Sequence, residues 1–196
     1  LPAKKGAFTY FEVLIVFLIF GVVLAALFIT LNAGYFTQAL SSQEVELQST
    51  VRLASEWAAK DLRQAIVGEI VKVQNSPSTS HLKFNLGTWN TTTHTWDISA
   101  TDYIEYTYDS QAKKLTRTYV FTEDEITKTM TLAFNNLIEA PFYTRYDGPG
   151  DPDNTLNTTD LSNNKKLIVV LRGEKTVRGT EKVSYAMVSQ ILIRNE

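Results

Sequence analysis

The chain has 196 residues, 44% of them hydrophobic and 20% charged, which suits one soluble domain with a real core plus one further element. Its net charge of −2, with lysines and arginines scattered along the chain, offers no clustered basic surface of the kind nucleic-acid binding needs. There is no cysteine, which removes disulfide, zinc–thiolate and cysteine-nucleophile chemistry.

The averages conceal an asymmetry. From Val13 to Leu31 run nineteen residues without a charge, interrupted in apolar character only by Gly21 and Thr30. As an α-helix this stretch is about 28 Å long, close to the hydrocarbon thickness of a bilayer. A secretory signal peptide carries a shorter apolar stretch followed by a small-residue cleavage site. Here Leu31 leads instead into Asn32, Ala33, Gly34, Tyr35 and Phe36 in a continuing helical pattern. Lys4 and Lys5 precede the segment, and Glu44 and Glu46 are the first charges after it. The positive-inside rule therefore predicts a single span with its N-terminus in the cytoplasm and residues beyond about 32 outside.

Glu12 stands directly against the apolar run, with Phe8, Tyr10 and Phe11 before it. A carboxylate near hydrocarbon is expensive unless it finds a partner, so it reads either as a functional acid or as a boundary residue at headgroup level.

The residues Lys4-Lys5-Gly6-Ala7-Phe8-Thr9-Tyr10-Phe11-Glu12-Val13-Leu14-Ile15 closely resemble the class III signal of type IV pilins and type II secretion pseudopilins. That signal is a short basic leader, a small residue, then Phe-Thr-x-x-Glu opening a long apolar helix. The resemblance implies that a prepilin peptidase cuts between Ala7 and Phe8, removing leader 1–7 and leaving Phe8 as the N-methylated first residue. Ala7 stands where the family usually has glycine, and Gly6 lies one residue earlier. Only the Ala7–Phe8 cut puts Glu12 at the fifth mature position, where the family's carboxylate is thought to pair with the N-terminal amine of a neighbouring subunit. The implied partners are other pilin or pseudopilin subunits, the peptidase, the inner-membrane assembly platform, and lipid before assembly.

Helical periodicity continues beyond the span. Leu47, Val51, Ala54, Ala58, Leu62 and Ala65 form one apolar stripe, and Glu44, Glu46, Arg52, Glu56, Lys60 and Arg63 the opposite face. No proline lies between Pro2 and Pro77, so one helix is predicted from about Phe8 to Ile66, roughly 90 Å long. Residues 8–32 form its membrane or filament-core part and 33–66 its amphipathic part; Gly21 and Gly34 are the places for bending or melting.

Residues 67–196 read as a β-rich head. Strands are expected at Val67–Gln74, His81–Leu86, Tyr103–Tyr108, Leu115–Phe121, Met130–Phe134, Phe142–Tyr146, Lys166–Arg172 and Val183–Arg194. A polar loop is expected from Gly87 to Ala100, a hairpin turn over Asp109–Lys114, and a turn from Gly173 to Thr180. The fold class is α+β, a long helix whose second half packs on an antiparallel sheet.

The head carries a further resemblance, to the J-type minor pseudopilins and PilW-like minor pilins. It rests on the order of Lys60-Asp61-Leu62-Arg63-Gln64-Ala65, Tyr103–Tyr108 followed by Leu115-Thr116-Arg117, Phe142-Tyr143-x-x-Tyr146-Asp147, and Ile191-Leu192-Ile193-Arg194-Asn195. The presence of Glu12 argues against the K-type tip subunit, which lacks this acid.

Asp147, Asp151 and Asp153 gather in a Gly/Pro-rich loop. Calcium favours such oxygen ligands, and some pseudopilins bind it, but the spacing fits no EF-hand and these are also ordinary turn residues. His81 and His94 have no acidic partner at ligand spacing and read as surface or strand residues. Asn90-Thr91-Thr92 and Asn157-Thr158-Thr159 match the N-glycosylation acceptor pattern. Tyr103, Tyr106, Tyr108 and Tyr119 read as cross-strand packing. No phosphate loop, nucleophile elbow or paired-acid motif is present, so no enzymatic activity is expected. The competing reading is a single-pass membrane protein whose outer domain binds a ligand or senses a signal.

Overall fold

A computed structural model describes residues 9–75, 79–139, 141–143, 166–178 and 181–193. The order is helix α1 (Tyr10–Leu62), then β1 (Ala65–Asn75), β2 (Thr79–Asn90), β3 (Thr95–Asp109), β4 (Lys114–Glu123), β5 (Ile126–Asn135), β6 (Phe142–Tyr143), β7 (Lys166–Arg178) and β8 (Glu181–Leu192). Strands β1 to β5 form an antiparallel meander in chain order; β6, β7 and β8 form a second antiparallel sheet. The architecture is α+β. The chain divides into two compact units, Leu1–Ser42 and Gln43–Glu196.

In the first unit α1 is unbroken across Gly21 and Gly34, with nothing within 4 Å of either glycine's missing Cβ. Every described residue from Thr9 to Tyr35 is exposed. Thr30 Oγ1 donates to the Ala26 carbonyl at 2.9 Å, Asn32 Nδ2 to the Phe28 carbonyl at 3.0 Å and Thr37 Oγ1 to the Ala33 carbonyl at 3.0 Å. Such back-bonding removes the penalty of an unpaired polar group in an apolar surround.

In the second unit α1 buries the expected stripe of Leu47, Val51, Ala54, Ala58 and Leu62 against Phe84, Tyr106, Leu115, Phe134, Phe142 and Leu171. Each fully buried Leu or Phe contributes about 1.5–3 kcal/mol. The alanines let the helix lie close to the strands, and the approach is close at Gly173. A Cβ there would sit 2.6 Å from Leu47 Cδ1 and 3.1 Å from Val51 Cγ2. This is why β7 carries a glycine in mid-strand.

The helix stops at Leu62, four residues before the expected Ile66. Arg63 N–H still reaches the Ala59 carbonyl and Gln64 N–H the Asp61 carbonyl. The β-branched run Ile66, Val67, Ile70, Val71 and Val73 then favours strand over helix, and β1 takes it up.

Three strand expectations change. The expected loop Gly87–Ala100 is instead the end of β2 and the start of β3, paired from Gly87↔Ile98 to Asn90↔Thr95. Asn90 Oδ1 accepts from the Thr92 and Thr93 N–H groups, and His94 closes the turn at φ 54°. The β3–β4 turn, where it was expected, repeats that chemistry: Asp109 Oδ1 accepts from Gln111 and Ala112 N–H, and Lys113 sits at φ 50°. Strand β5 begins at Ile126 rather than Met130, because Asp124 and Glu125 (φ 52° and 62°) make a two-residue turn with both centres left-handed. Finally, Gly173 does not start a turn: β7 runs through it to Arg178 and pairs with β8 along its length. For the expected strands at 142–146 and 183–194, residues 144–146 and Arg194 lie outside the described residues.

The segment after β5 ties the sheets together. Leu137 N–H donates to the Lys113 carbonyl, Ile138 N–H to Arg172 and Glu174 N–H to Asn136, while Tyr108 Oη donates to the Leu137 carbonyl at 3.3 Å.

Candidate functional site

Two constellations carry chemistry, one at the start of α1 and one at its end. At the start, Thr9 is the N-cap. Glu12 N–H donates to the Thr9 carbonyl at 3.0 Å and lies 3.4 Å from Thr9 Oγ1, and the Glu12 carboxylate accepts from Thr9 N–H at 2.8 Å. This is a reciprocal capping box, Thr-x-x-Glu, with the acid placed favourably at the positive end of the helix dipole. Sequence reading weighed Glu12 as a functional acid or a boundary residue and missed this third role, although Thr9 three residues before Glu12 is its signature. The box uses only Thr9 and Glu12, so removal of residues 1–7 would leave it intact.

The capping bond neutralises no charge, since a peptide N–H is a neutral donor. Glu12 remains an exposed carboxylate at the edge of an apolar helix that is long enough to cross a membrane and has none of its apolar stretch buried. Lys4, Lys5, Ala7 and Phe8 lie outside the described residues, as do Asp147, Asp151, Asp153 and Asn157. Among the described residues no group of three or more His, Cys, Asp or Glu side chains is placed to hold a metal ion.

At the other end, in the second unit, Asp61 and Arg117 are 2% and 7% exposed. Arg117 Nε donates to Asp61 Oδ2 at 2.5 Å and Nη2 to Oδ1 at 3.0 Å, a bidentate pair. Tyr106 Oη donates to the same Oδ2 at 2.5 Å. The Trp57 ring lies 4.7 Å from the Arg117 guanidinium and 5.2 Å from Lys60 Nζ. Elements explain the meeting: Tyr106 on β3 and Arg117 on β4 are register partners on the core face, beneath the last turn of α1. Burial, reinforced by the Asp61 charge and hydrogen bond, pushes the Tyr106 phenol far above its ordinary range. Burial lowers the Arg117 value, but the bonds and charge of Asp61 outweigh it, so the guanidinium is held more firmly protonated. Asp61 Oδ2 thus accepts from both Arg117 and Tyr106 and Oδ1 from Arg117, so the cluster fastens the helix end to the sheet.

The other expected residues fall apart spatially. His81 on β2 pairs with Thr107 at 3.2 Å and lies 3.8 Å from Glu105. His94 occupies the β2–β3 turn. Asn90 spends its side chain in that same turn, donating Nδ2 to Asp97 at 2.7 Å. Of the tyrosines, Tyr106 and Tyr108 are core; Tyr119 stacks on Phe121, and Tyr103 lies beneath Lys83 at 3.5 Å.

Compared with protein-family models and with curated proteins, the chain matches none.

Proposed function

We propose that this chain is a pilin-like filament subunit, most similar to the J-type, PilW-like minor pilins and pseudopilins. It is cut between Ala7 and Phe8 and N-methylated at Phe8. It is held in the inner membrane with its N-terminus cytoplasmic and its head outside, and is then built into a type IV pilus or type II secretion pseudopilus. The role is structural rather than catalytic.

One observation carries the reading. A carboxylate, Glu12, is held at the start of a helix whose apolar residues from Tyr10 to Tyr35 are all exposed. An ordinary anchor uses that acid as a helix cap but has no use for its charge. A helix that leaves lipid for a bundle of its own kind does, because a neighbour's terminal ammonium offsets the desolvation of both charges and selects one axial register. The test is to shear surface filaments from cells expressing the chain and probe the sheared fraction for it. Presence there, together with neighbouring pilin-like subunits, supports the proposal; a chain confined to the membrane fraction while filaments form without it refutes it.

A further inference from the structure

The core face of the five-stranded sheet runs past the end of α1. On β4 that face carries Leu115, Arg117, Tyr119, Phe121 and Glu123; their register partners on β5 are Phe134, Leu132, Met130, Lys128 and Ile126. Burial falls steadily along the series, from Leu115 and Phe134 in the core to Met130 and Ile126, which are 59% and 62% exposed. The hairpin therefore ends in an uncovered apolar face rimmed by Glu123, Asp124 and Glu125 against a single Lys128, a net of two negative charges.

The same unit holds a surface of opposite character. Val45, Arg52, Leu53, Glu56, Lys60 and Arg63 are all exposed or have exposed apolar side chains, and at the helical period they fall within about 100° of one face of α1. That face is opposite the buried stripe. Its charges sum to a net of two positive; Leu53 is the exposed apolar residue among them, and Val45 lies two turns before Arg52.

We infer that the β4–β5 tip of one copy docks on the exposed α1 stripe of a second copy of this chain. Apolar meets apolar, with Ile126 and Met130 against Leu53, while the acidic rim meets Arg52, Lys60 and Arg63. Opposed charges of this kind set partner choice and approach more than raw affinity. Because tip and stripe are different surfaces, the contact is heterologous and leaves one copy with a free tip and the other with a free stripe. A hairpin tip is a small interface, and it gains strength only when helices already hold the copies side by side. The inference rests on the filament reading for that alignment, and it places at least two copies of this chain next to one another.

The chain has no cysteine, so engineered thiols report cleanly. Full-length Leu53→Cys and Ile126→Cys chains, co-expressed in membranes and oxidised with copper phenanthroline, are expected to form a mixed disulfide. The control partner is Thr129→Cys, exposed on the opposite face of β5, and its yield is expected to be several-fold lower. Adding Arg52→Glu and Arg63→Glu to the Leu53→Cys chain is expected to cut the yield several-fold, and Asp124→Lys with Glu125→Lys on the other chain to restore it. Equal yields from positions 126 and 129, or no restoration by the swapped charges, overturn the inference. A chain with a processed N-terminus and no selective crosslink loses this contact alone; selective crosslinking by a chain that keeps its leader loses the filament reading and leaves the contact.

Discussion

Arg117 reaches from the middle of β4 to Asp61 in the last turn of α1 and holds both carboxylate oxygens, with Tyr106 on the neighbouring strand completing the shell. A charge pair this deep gives modest net stability when intact and a large penalty when halved, because removing one partner strands the other. Arg117→Ala is therefore expected to cost about 3 kcal/mol or more in chemical denaturation of the full chain in detergent. Asp61→Leu and Arg117→Met combined with Tyr106→Phe, which removes the hydroxyl that loss of the carboxylate would strand, should recover most of that loss. Equal destabilisation by the single and triple variants would show that the site matters only for packing volume.

Two of the buried tyrosines, Tyr106 and Tyr108, give the head an alkaline limit. Burial, with Glu139 and Asp109 adding to it, pushes the Tyr108 phenol up to about 12, and Tyr106 lies higher still. The unfolded chain releases these protons near pH 10 whereas the folded chain keeps them, so folding binds protons and stability falls as pH rises above 10. The contribution is fully present below pH 10 and is lost through the folded values. Melting temperature measured from pH 8 to 12 should fall with a slope that Tyr108→Phe reduces. An unchanged slope in that variant contradicts the assignment.

Gly173 is fixed by the approach of α1. Gly173→Ala forces Leu47 and Val51 to give way, and overpacking of this kind costs about 1–3 kcal/mol. Leu47→Ala alone should also destabilise, by leaving a cavity. The double variant should be less destabilised than the sum of the two single changes, because each relieves the other; strict additivity would place the constraint elsewhere.

Much of this fold is legible from residue pattern. The apolar stripe from Leu47 to Leu62 and the period-two alternation of Tyr103–Tyr108 and Leu115–Phe121 give the helix and the central hairpin directly. What escaped the pattern has identifiable causes. The polar, threonine-rich stretch from Gly87 to Ala100 hides two strands, because its turn is built from an asparagine side chain and a left-handed histidine without glycine. Gly173 looks like a turn residue and is instead a packing residue. The Asp61–Arg117 pair joins residues far apart in sequence, and no local signal brings them together. Even so, Asp61 sits in the helix register of the buried stripe, and Arg117 alternates with Leu115 and Tyr119 on the core face.

Glu12 caps α1, and the filament reading gives its charge a separate role. Glu12→Gln keeps the capping acceptor and removes the charge, whereas Glu12→Val removes both, at about 1 kcal/mol of local helix stability. Both variants are expected to insert in the membrane and to be absent from sheared filaments. Incorporation of Glu12→Gln at the normal level would mean that the cap, not the charge, is what assembly requires.

The filament reading stands or falls on the junction between Ala7 and Phe8, which intact-mass and N-terminal peptide mass spectrometry of the chain recovered from its native membrane or filament examines. The expected result is a chain that begins at Phe8 and carries one methyl group on its α-amine. A functional chain that retains Lys4 and Lys5 ahead of Phe8, with no methyl group, would contradict it.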